Sequence, residues 1–246
     1  MKKILSYILT PIHLLAFGLI LAIFHPLQWL GLKLGGYHAH KSVVKWLNFW
    51  LIQSLKILGN TCQFTITHEL PKGKPLIIVS NHQSLYDIPP IIYHLDKHHI
   101  KFVSKKELAK GIPSISFNLR HGGSVLIDRK DPSQALPAMK AFAEYLEANN
   151  YAGVIYPEGT RSRNGVPKRF SSKGLKTLVD HMPSAYIIPL TINHAWKINE
   201  HGFWPLNVGI KATWHTHKPI PVAGRDFEEL FAEVEKAVKD GVVTSG

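Results

Sequence analysis

The stretch Pro75-Leu76-Ile77-Ile78-Val79-Ser80-Asn81-His82-Gln83-Ser84-Leu85-Tyr86-Asp87 decides how the rest of the chain is read. Its first half is an unbroken apolar run behind a proline, the pattern of a strand buried on both faces. Its second half turns polar at once and sets a histidine five residues before a carboxylate. On a continuous helix that spacing turns the two about 140° apart. His82 and Asp87 therefore meet only if the histidine lies in the turn and the aspartate in the first helical turn beyond it. Paired so, they are a base and its orienter: imidazole takes a proton near neutral pH, and the carboxylate fixes its tautomer. The same residues also suit a structural role, because Ser84 and Asp87 have capping-box spacing and Pro89-Pro90 would open a helix.

Downstream, apolar runs at 100–104, 124–127, 154–156, 187–192 and 208–214 read as strands, as does 64–67 upstream. Helical patterns fall between several of them, at 91–95, from Lys105 to a break at Gly111-Ile112-Pro113, at 132–148 behind an Asp131-Pro132 cap, and at 226–239. Strands alternating with helices predict an α/β domain over 61–246, with a mixed, partly parallel central sheet flanked by helices.

Upstream of that domain, residues 1–60 have a different character. No Asp, Glu, Lys or Arg falls between Lys3 and Lys33, where His13, His25, Pro11 and Pro26 interrupt an apolar run long enough for a membrane-inserted helix, broken at a proline. The basic start resembles a signal peptide, but there is no small-residue cleavage site and the apolar character runs on too far. In the second half of this region Lys41, Lys45, Asn48, Gln53 and Lys56 fall within an arc of about 140° on a helical wheel. Trp46, Leu47, Phe49, Trp50, Leu51 and Leu58 fill much of the rest. This wide apolar face with a basic stripe reads as a helix lying in the bilayer interface, with a core-facing amphipathic helix as the alternative. Residues 1–60 are thus expected to be a hydrophobic helical membrane-attachment element.

The totals narrow the function classes. Twenty-nine Lys and Arg against 17 Asp and Glu give +12, while hydrophobic residues make up 45% of the chain. Such a charge attracts phosphate, whether from nucleic acid, anionic lipid or a phosphorylated substrate. No nucleic-acid reader motif accompanies it. Cys62 is the single cysteine, which excludes an intramolecular disulfide and reads as a small core residue.

Three further stretches end apolar strands in polar chemistry or continue the core. Gly123-Ser124-Val125-Leu126-Ile127-Asp128-Arg129 stops in an acid and an arginine, and Arg129 suits a phosphate. Tyr156-Pro157-Glu158-Gly159-Thr160-Arg161-Ser162-Arg163 offers a carboxylate, a glycine that permits close backbone approach, hydroxyls and two guanidinium groups. The run 187–192 is nearly all apolar and reads as a core strand.

In this order, the four stretches resemble the glycerolipid acyltransferase family, the 1-acylglycerol-3-phosphate acyltransferases. The family's N-H-x4-D is met by Asn81, His82 and Asp87. Its G-x-x-F-I-D-R is met by Gly123, Ile127, Asp128 and Arg129, with Leu126 at the phenylalanine. Its F-P-E-G-T-R-S is met from Pro157 through Ser162, with Tyr156 at the phenylalanine, and its apolar V-P-V strand by Ile188-Pro189-Leu190. Phe102-Val103-Ser104-Lys105-Lys106-Glu107-Leu108 is similar to its F-V-A-K-x-E-L segment, and Phe170-Ser171-Ser172-Lys173-Gly174 to its F-K-x-G segment with one basic residue missing.

The resemblance implies transfer of a fatty acyl group from acyl-CoA or acyl-carrier protein to the sn-2 hydroxyl of 1-acylglycerol-3-phosphate, giving phosphatidic acid in phospholipid biosynthesis. His82 and Asp87 would be catalytic. Lys105, Arg129, Glu158, Gly159, Thr160 and Arg161 would bind substrate. The thioester is a co-substrate; no cofactor, metal or nucleic acid is expected. The partners would be the lipid acceptor, the acyl donor and an anionic membrane surface, at the cytoplasmic face of an inner or plasma membrane. A different lysolipid acceptor, a metal-assisted lipid hydrolase and a non-catalytic membrane adaptor are the competing readings.

Overall fold

A computed structural model describes residues 2–128 and 130–243. The chain opens on α1 (Lys2–Ser54), continued by a 3-10 turn at Leu55–Leu58. Both prolines are accommodated within α1. Its break falls instead at Gly36, with φ 64° and ψ −155°, a conformation that favours a residue without Cβ. The expected break at a proline is thereby corrected: two helical arms fold back at a glycine. This helix is long and apolar enough to cross a membrane.

The arms pack directly on the domain that follows. Leu47 and Leu51 of the second arm bury against Leu21 of the first, and Leu55 enters the main core. Ser114 Oγ donates to Leu21 O at 2.6 Å, and the Ser114 amide donates to His25 Nδ1 at 3.0 Å. The second arm turns part of its polar stripe inward. Lys41 and Lys45 turn toward Asp96, at 2.7 and 3.3 Å, while Trp46 and Trp50 are half exposed. Part of the basic stripe thus faces the protein, and the tryptophans face outward.

The sheet is built from β1 (Thr61–Ile66), β2 (Leu76–Ser80), β3 (Ile100–Lys105), β4 (Val125–Ile127), β5 (Ala152–Ile155), β6 (Tyr186–Asn193), β7 (Lys211–Thr216) and β8 (Ile220–Pro221). The order is β1-β7-β6-β2-β5-β3-β4, with β8 pairing β6. β2 lies parallel to both neighbours, β6 and β5, and β3 is parallel to β5 and β4. β7 and β8 run antiparallel to β6, while β1 runs parallel to β7. The expected mixed, partly parallel α/β architecture is what the chain adopts. β1 and β2, consecutive in sequence, are separated by β7 and β6.

Strand β2 is the centre of the layers, and residues 76–79 are wholly buried. Leu76 and Ile78 point to one side, with α2 (Ile88–His94) and Leu55; Ile77 and Val79 point to the other. That other side is covered by α4 (Pro132–Asn149), α5 (Ser172–His181) and α7 (Phe227–Asp240), after the short α3 (Ile115–His121) has followed β3. Each such aliphatic side chain contributes about 1.5–3 kcal/mol when buried. Caps fix the two long helices of this layer: Asp131 accepts from the amides of Ser133 and Gln134, and Asp226 from those of Glu228 and Glu229.

Several boundaries moved from their sequence reading, β1 beginning at Thr61 rather than Phe64 among them, and two have a plain physical cause. The strand expected at 208–214 begins later because the Asn60 side chain holds 207–210 as a loop, donating to Asn207 O at 3.0 Å and accepting from the Ile210 amide at 2.7 Å. The expected strand 154–156 ends at Ile155, since Tyr156 turns its ring into the site described next.

Candidate active site

Parallel neighbours end at the same edge of a sheet, so the loops after β2 and β5 are brought together. The first carries Asn81 to Asp87 and the second Tyr156 to Ser162. Asn81 secures the β2 loop to β6: its side chain donates to Ile192 O at 2.8 Å and accepts from the Ile192 amide at 2.7 Å. An amide side chain here continues the ladder where β2 has ended.

His82 follows in the turn, and Asp87 closes a 3-10 turn at Leu85–Asp87. His82 Nδ1 lies 2.8 Å from Asp87 Oδ2. The same oxygen accepts from the amides of Gln83 at 2.7 Å and Ser84 at 2.9 Å. The capping box and the base–orienter pair are therefore both present, and both rest on one carboxylate. Asp87 is fully buried, whereas the His82 side chain keeps 17% of its exposure. Since a carboxylate only accepts, the neutral imidazole carries its proton on Nδ1 and offers Nε2 as the acceptor.

The second loop supports the histidine from the other side. The Tyr156 ring stacks on the His82 ring, with centroids 4.1 Å apart and planes 18° from parallel. Glu158 Oε1 accepts from the His82 amide at 2.7 Å, and Oε2 accepts from the Lys168 amide at 2.8 Å. The Ser162 amide donates to His82 O at 2.7 Å. The His82 backbone is thus held through both its amide and its carbonyl by the loop after β5. Burial raises the Glu158 carboxyl above its usual range, and the two amide bonds oppose that shift. Burial, with Asp87 nearby, likewise pushes the Tyr156 hydroxyl well above its usual value.

The remaining sequence-predicted residues are placed as follows. Gly159 adopts φ 70°, in the left-handed region that favours glycine. Thr160 and Arg161 are exposed, and Lys168 Nζ donates to Thr160 Oγ1 at 2.7 Å and to Arg161 O at 3.2 Å. Lys105 is exposed at the end of β3, next to β5 on the same sheet edge. Arg129 lies outside the described residues. Glu158 faces backbone amides with both oxygens, so its first role is to fix the loops.

Sequence reasoning did not assign Asn81, Gln83, Tyr156 or Lys168 a part in the site. Gln83 accepts from the Trp196 amide at 3.4 Å and donates to Gly165 O at 3.4 Å, linking the site to α6 (Ala195–Ile198). The signal for Asn81, Gln83 and Tyr156 was their place inside the quoted motifs. Lys168 acts through its backbone and its loop, which no local pattern announces.

Nucleophiles are engaged elsewhere. Ser84 Oγ donates to Asn199 Oδ1 at 2.7 Å, and Ser162 Oγ to Asn164 Oδ1 at 3.1 Å. Burial pushes the Cys62 thiol up to about 12, which keeps it protonated. The geometry offers a general base rather than an activated side-chain nucleophile.

Fold and site define a mixed α/β protein with a histidine–carboxylate pair at the carboxyl edge of its sheet as the candidate active centre. The chain belongs to the acyltransferase family, whose match covers residues 61–193, more than half of its length. It is 35% identical over 125 residues to a 1-acyl-sn-glycerol-3-phosphate acyltransferase of Helicobacter pylori, covering 50% of each chain. A 1-acyl-sn-glycerol-3-phosphate acyltransferase of Limnanthes douglasii is 25% identical over 213 residues, 85% of this chain and 71% of that one. The match to the sheep 1-acyl-sn-glycerol-3-phosphate acyltransferase alpha, 29% identical, spans 50% of this chain and 42% of the sheep protein. The chain therefore spans half or less of the length of two of these relatives. The crystal structure of the LPA acyltransferase PlsC from Thermotoga maritima shares the fold, with a TM-score of 0.78 at 24% identity over 98% of this chain and 96% of that one. Family and apolar helix together point to membrane association.

Proposed function

We propose that the protein acylates the sn-2 hydroxyl of 1-acylglycerol-3-phosphate, with acyl-CoA or acyl-carrier protein as donor, to form phosphatidic acid. The single observation that carries this reading is the 2.8 Å contact between His82 Nδ1 and Asp87 Oδ2, with Nε2 left to accept a proton. The names of the relatives supply the substrate class.

In this reading the acceptor hydroxyl donates to His82 Nε2 and attacks the thioester carbonyl as the proton transfers. Asp87 stabilises the imidazolium that results. Lys105 stabilises the oxyanion of the tetrahedral intermediate. Collapse expels the thiolate, which takes the proton back from Nε2. No acyl-enzyme forms, in keeping with the hydrogen-bonded serines and the protonated cysteine. Arg161 and Arg129 bind the acceptor phosphate, and Glu158, Gly159 and Thr160 hold the acceptor beside Arg161. Residues 1–60 serve as the membrane-attachment element and 61–246 as the catalytic domain, at the cytoplasmic face of the membrane.

The test offers purified protein 1-acylglycerol-3-phosphate and a lysolipid without a phosphomonoester, each with acyl-CoA and with acyl-carrier protein. The reading expects product from the phosphomonoester, with Arg161→Gln raising KM for that acceptor more than it lowers kcat. Equal rates on both acceptors, untouched by Arg161→Gln, would overturn the acceptor assignment.

A further inference from the structure

The loop between α6 and β7 carries two large aromatic side chains outside the core. Phe203 is 60% exposed and Trp204 is 50% exposed, next to the exposed His201. Single exposed apolar residues are ordinary, but an adjacent pair joined to a larger apolar surface is not. Trp204 meets Tyr7 of α1 edge-on, with ring centroids 6.3 Å apart. Around Tyr7 the exposed face of α1 is Ile4, Leu5, Ile8 and Ile12. The loop is fixed there: the Leu206 amide donates to Thr10 Oγ1 at 3.0 Å, and Leu206 is buried with Leu58 and Val208 against Leu9 and Leu14. The aromatic pair is therefore continuous with the apolar face of the attachment helix but belongs to the catalytic domain.

The other end of the loop reaches the active-site motif. Asn199 Oδ1 accepts from Ser84 Oγ at 2.7 Å, and the Trp196 amide donates to Gln83. Ser84 and Gln83 are the residues whose amides hold Asp87. On the α1 side, His13 lies 3.0 Å from Tyr86 Oη within the same motif. Aromatic rings at the edge of an apolar helix, with the exposed Lys3 and His201 a few residues away in sequence from Tyr7 and Phe203, have the composition of a contact at the headgroup–acyl boundary.

We propose that the loop 199–206 is a second membrane contact, made by the catalytic domain itself. Phe203 and Trp204 enter the bilayer interface beside Tyr7, and the loop sets the height of the His82 site above the lipid through Asn199 and Ser84. The occupant of this face is a lipid bilayer surface. The inference rests on the membrane-attachment reading and goes beyond it, because it gives the catalytic domain a lipid contact of its own.

The test uses the full chain with vesicles of phosphatidylcholine and phosphatidylglycerol. Wild type, the Phe203→Ser/Trp204→Ser double variant and the Phe203→Leu/Trp204→Phe double variant are floated with vesicles, and acyl transfer is measured on a long-chain acceptor in the vesicle and on a short-chain soluble one. Brominated lipids report whether the Trp204 component of the fluorescence is quenched, by difference between wild type and Trp204→Phe. The serine variant should lose about tenfold or more in transfer to the embedded acceptor, as apolar contact area is removed, and keep its rate on the soluble one. The leucine/phenylalanine variant should behave as wild type in both assays. Unchanged rates on the embedded acceptor, or no brominated-lipid quenching attributable to Trp204, would overturn the proposal. Equal loss on both acceptors would make the loop a structural part of the site instead. Loss of a solution dimer in the serine variant would assign the face to a second copy. Failure of wild type itself to float would remove the membrane reading beneath it, a result distinct from all of these.

Discussion

Asp87 holds His82 Nδ1 at 2.8 Å with the same oxygen that anchors the amides of Gln83 and Ser84. One carboxylate therefore sets both the tautomer of the base and the shape of its loop. Asp87→Asn keeps the size but presents an N–H or a neutral oxygen to Nδ1. We expect kcat to fall by about 10²- to 10⁴-fold with KM little changed. Steady-state kinetics on the two proteins checks this.

Glu158 bridges the amides of His82 and Lys168 with its two oxygens. A glutamine offers one acceptor and turns an N–H₂ toward the other amide. Glu158→Gln should cost about 1–3 kcal/mol of stability and lower kcat by displacing His82. Thermal unfolding and kinetics, taken together, distinguish this from a role confined to binding the acceptor, which would raise KM and leave the unfolding temperature unchanged.

Tyr156 supports the His82 ring by stacking at 4.1 Å. Tyr156→Phe retains the ring and should keep activity near wild type. Tyr156→Ala removes the stack, for which a contribution of about 0.5–1.5 kcal/mol corresponds to up to about tenfold in rate. The contrast between the two variants is the measurement.

Lys101 is buried at 3% exposure on β3, with its ammonium 2.8 Å from Tyr37 Oη and 4.5 Å from the centre of that ring. Burial, with Lys41 nearby, lowers it from 10.5 to about 8. Between those values the unfolded chain holds more protons than the folded one, so stability rises as pH rises from about 8 toward 10.5. The relief is on the order of 3 kcal/mol. Lys101→Met should lack this rise in denaturant midpoint, and a parallel slope in both proteins would contradict it.

The sequence made the sheet legible because β2, β5 and β6 are nearly continuous apolar runs, and a run buried on both faces needs no partner to be read. It was less informative about α3 and α5, short helices of 7 and 10 residues opening on Ser- and Gly-containing stretches. Their helicity comes from packing, as with Leu175 and Leu178 beneath the sheet. Lys41 and Lys45 show a second limit. Their spacing announced a basic stripe, but only the tertiary fold brings Asp96 under it. For the site, His82 and Asp87 were legible since five residues and a turn suffice to join them. The bonds from Glu158, Ser162 and Lys168 were not, because they cross 76 or more residues or pass through backbone atoms.

In the proposed mechanism His82 is the base for transfer to a lipid hydroxyl. That role is tested most directly by acyl transfer to 1-acylglycerol-3-phosphate in mixed micelles with EDTA present, comparing wild type with His82→Ala of matched thermal stability. Phosphatidic acid is expected from wild type despite the chelator, with a loss of about 10²-fold or more in the variant. Equal product from both proteins would contradict it.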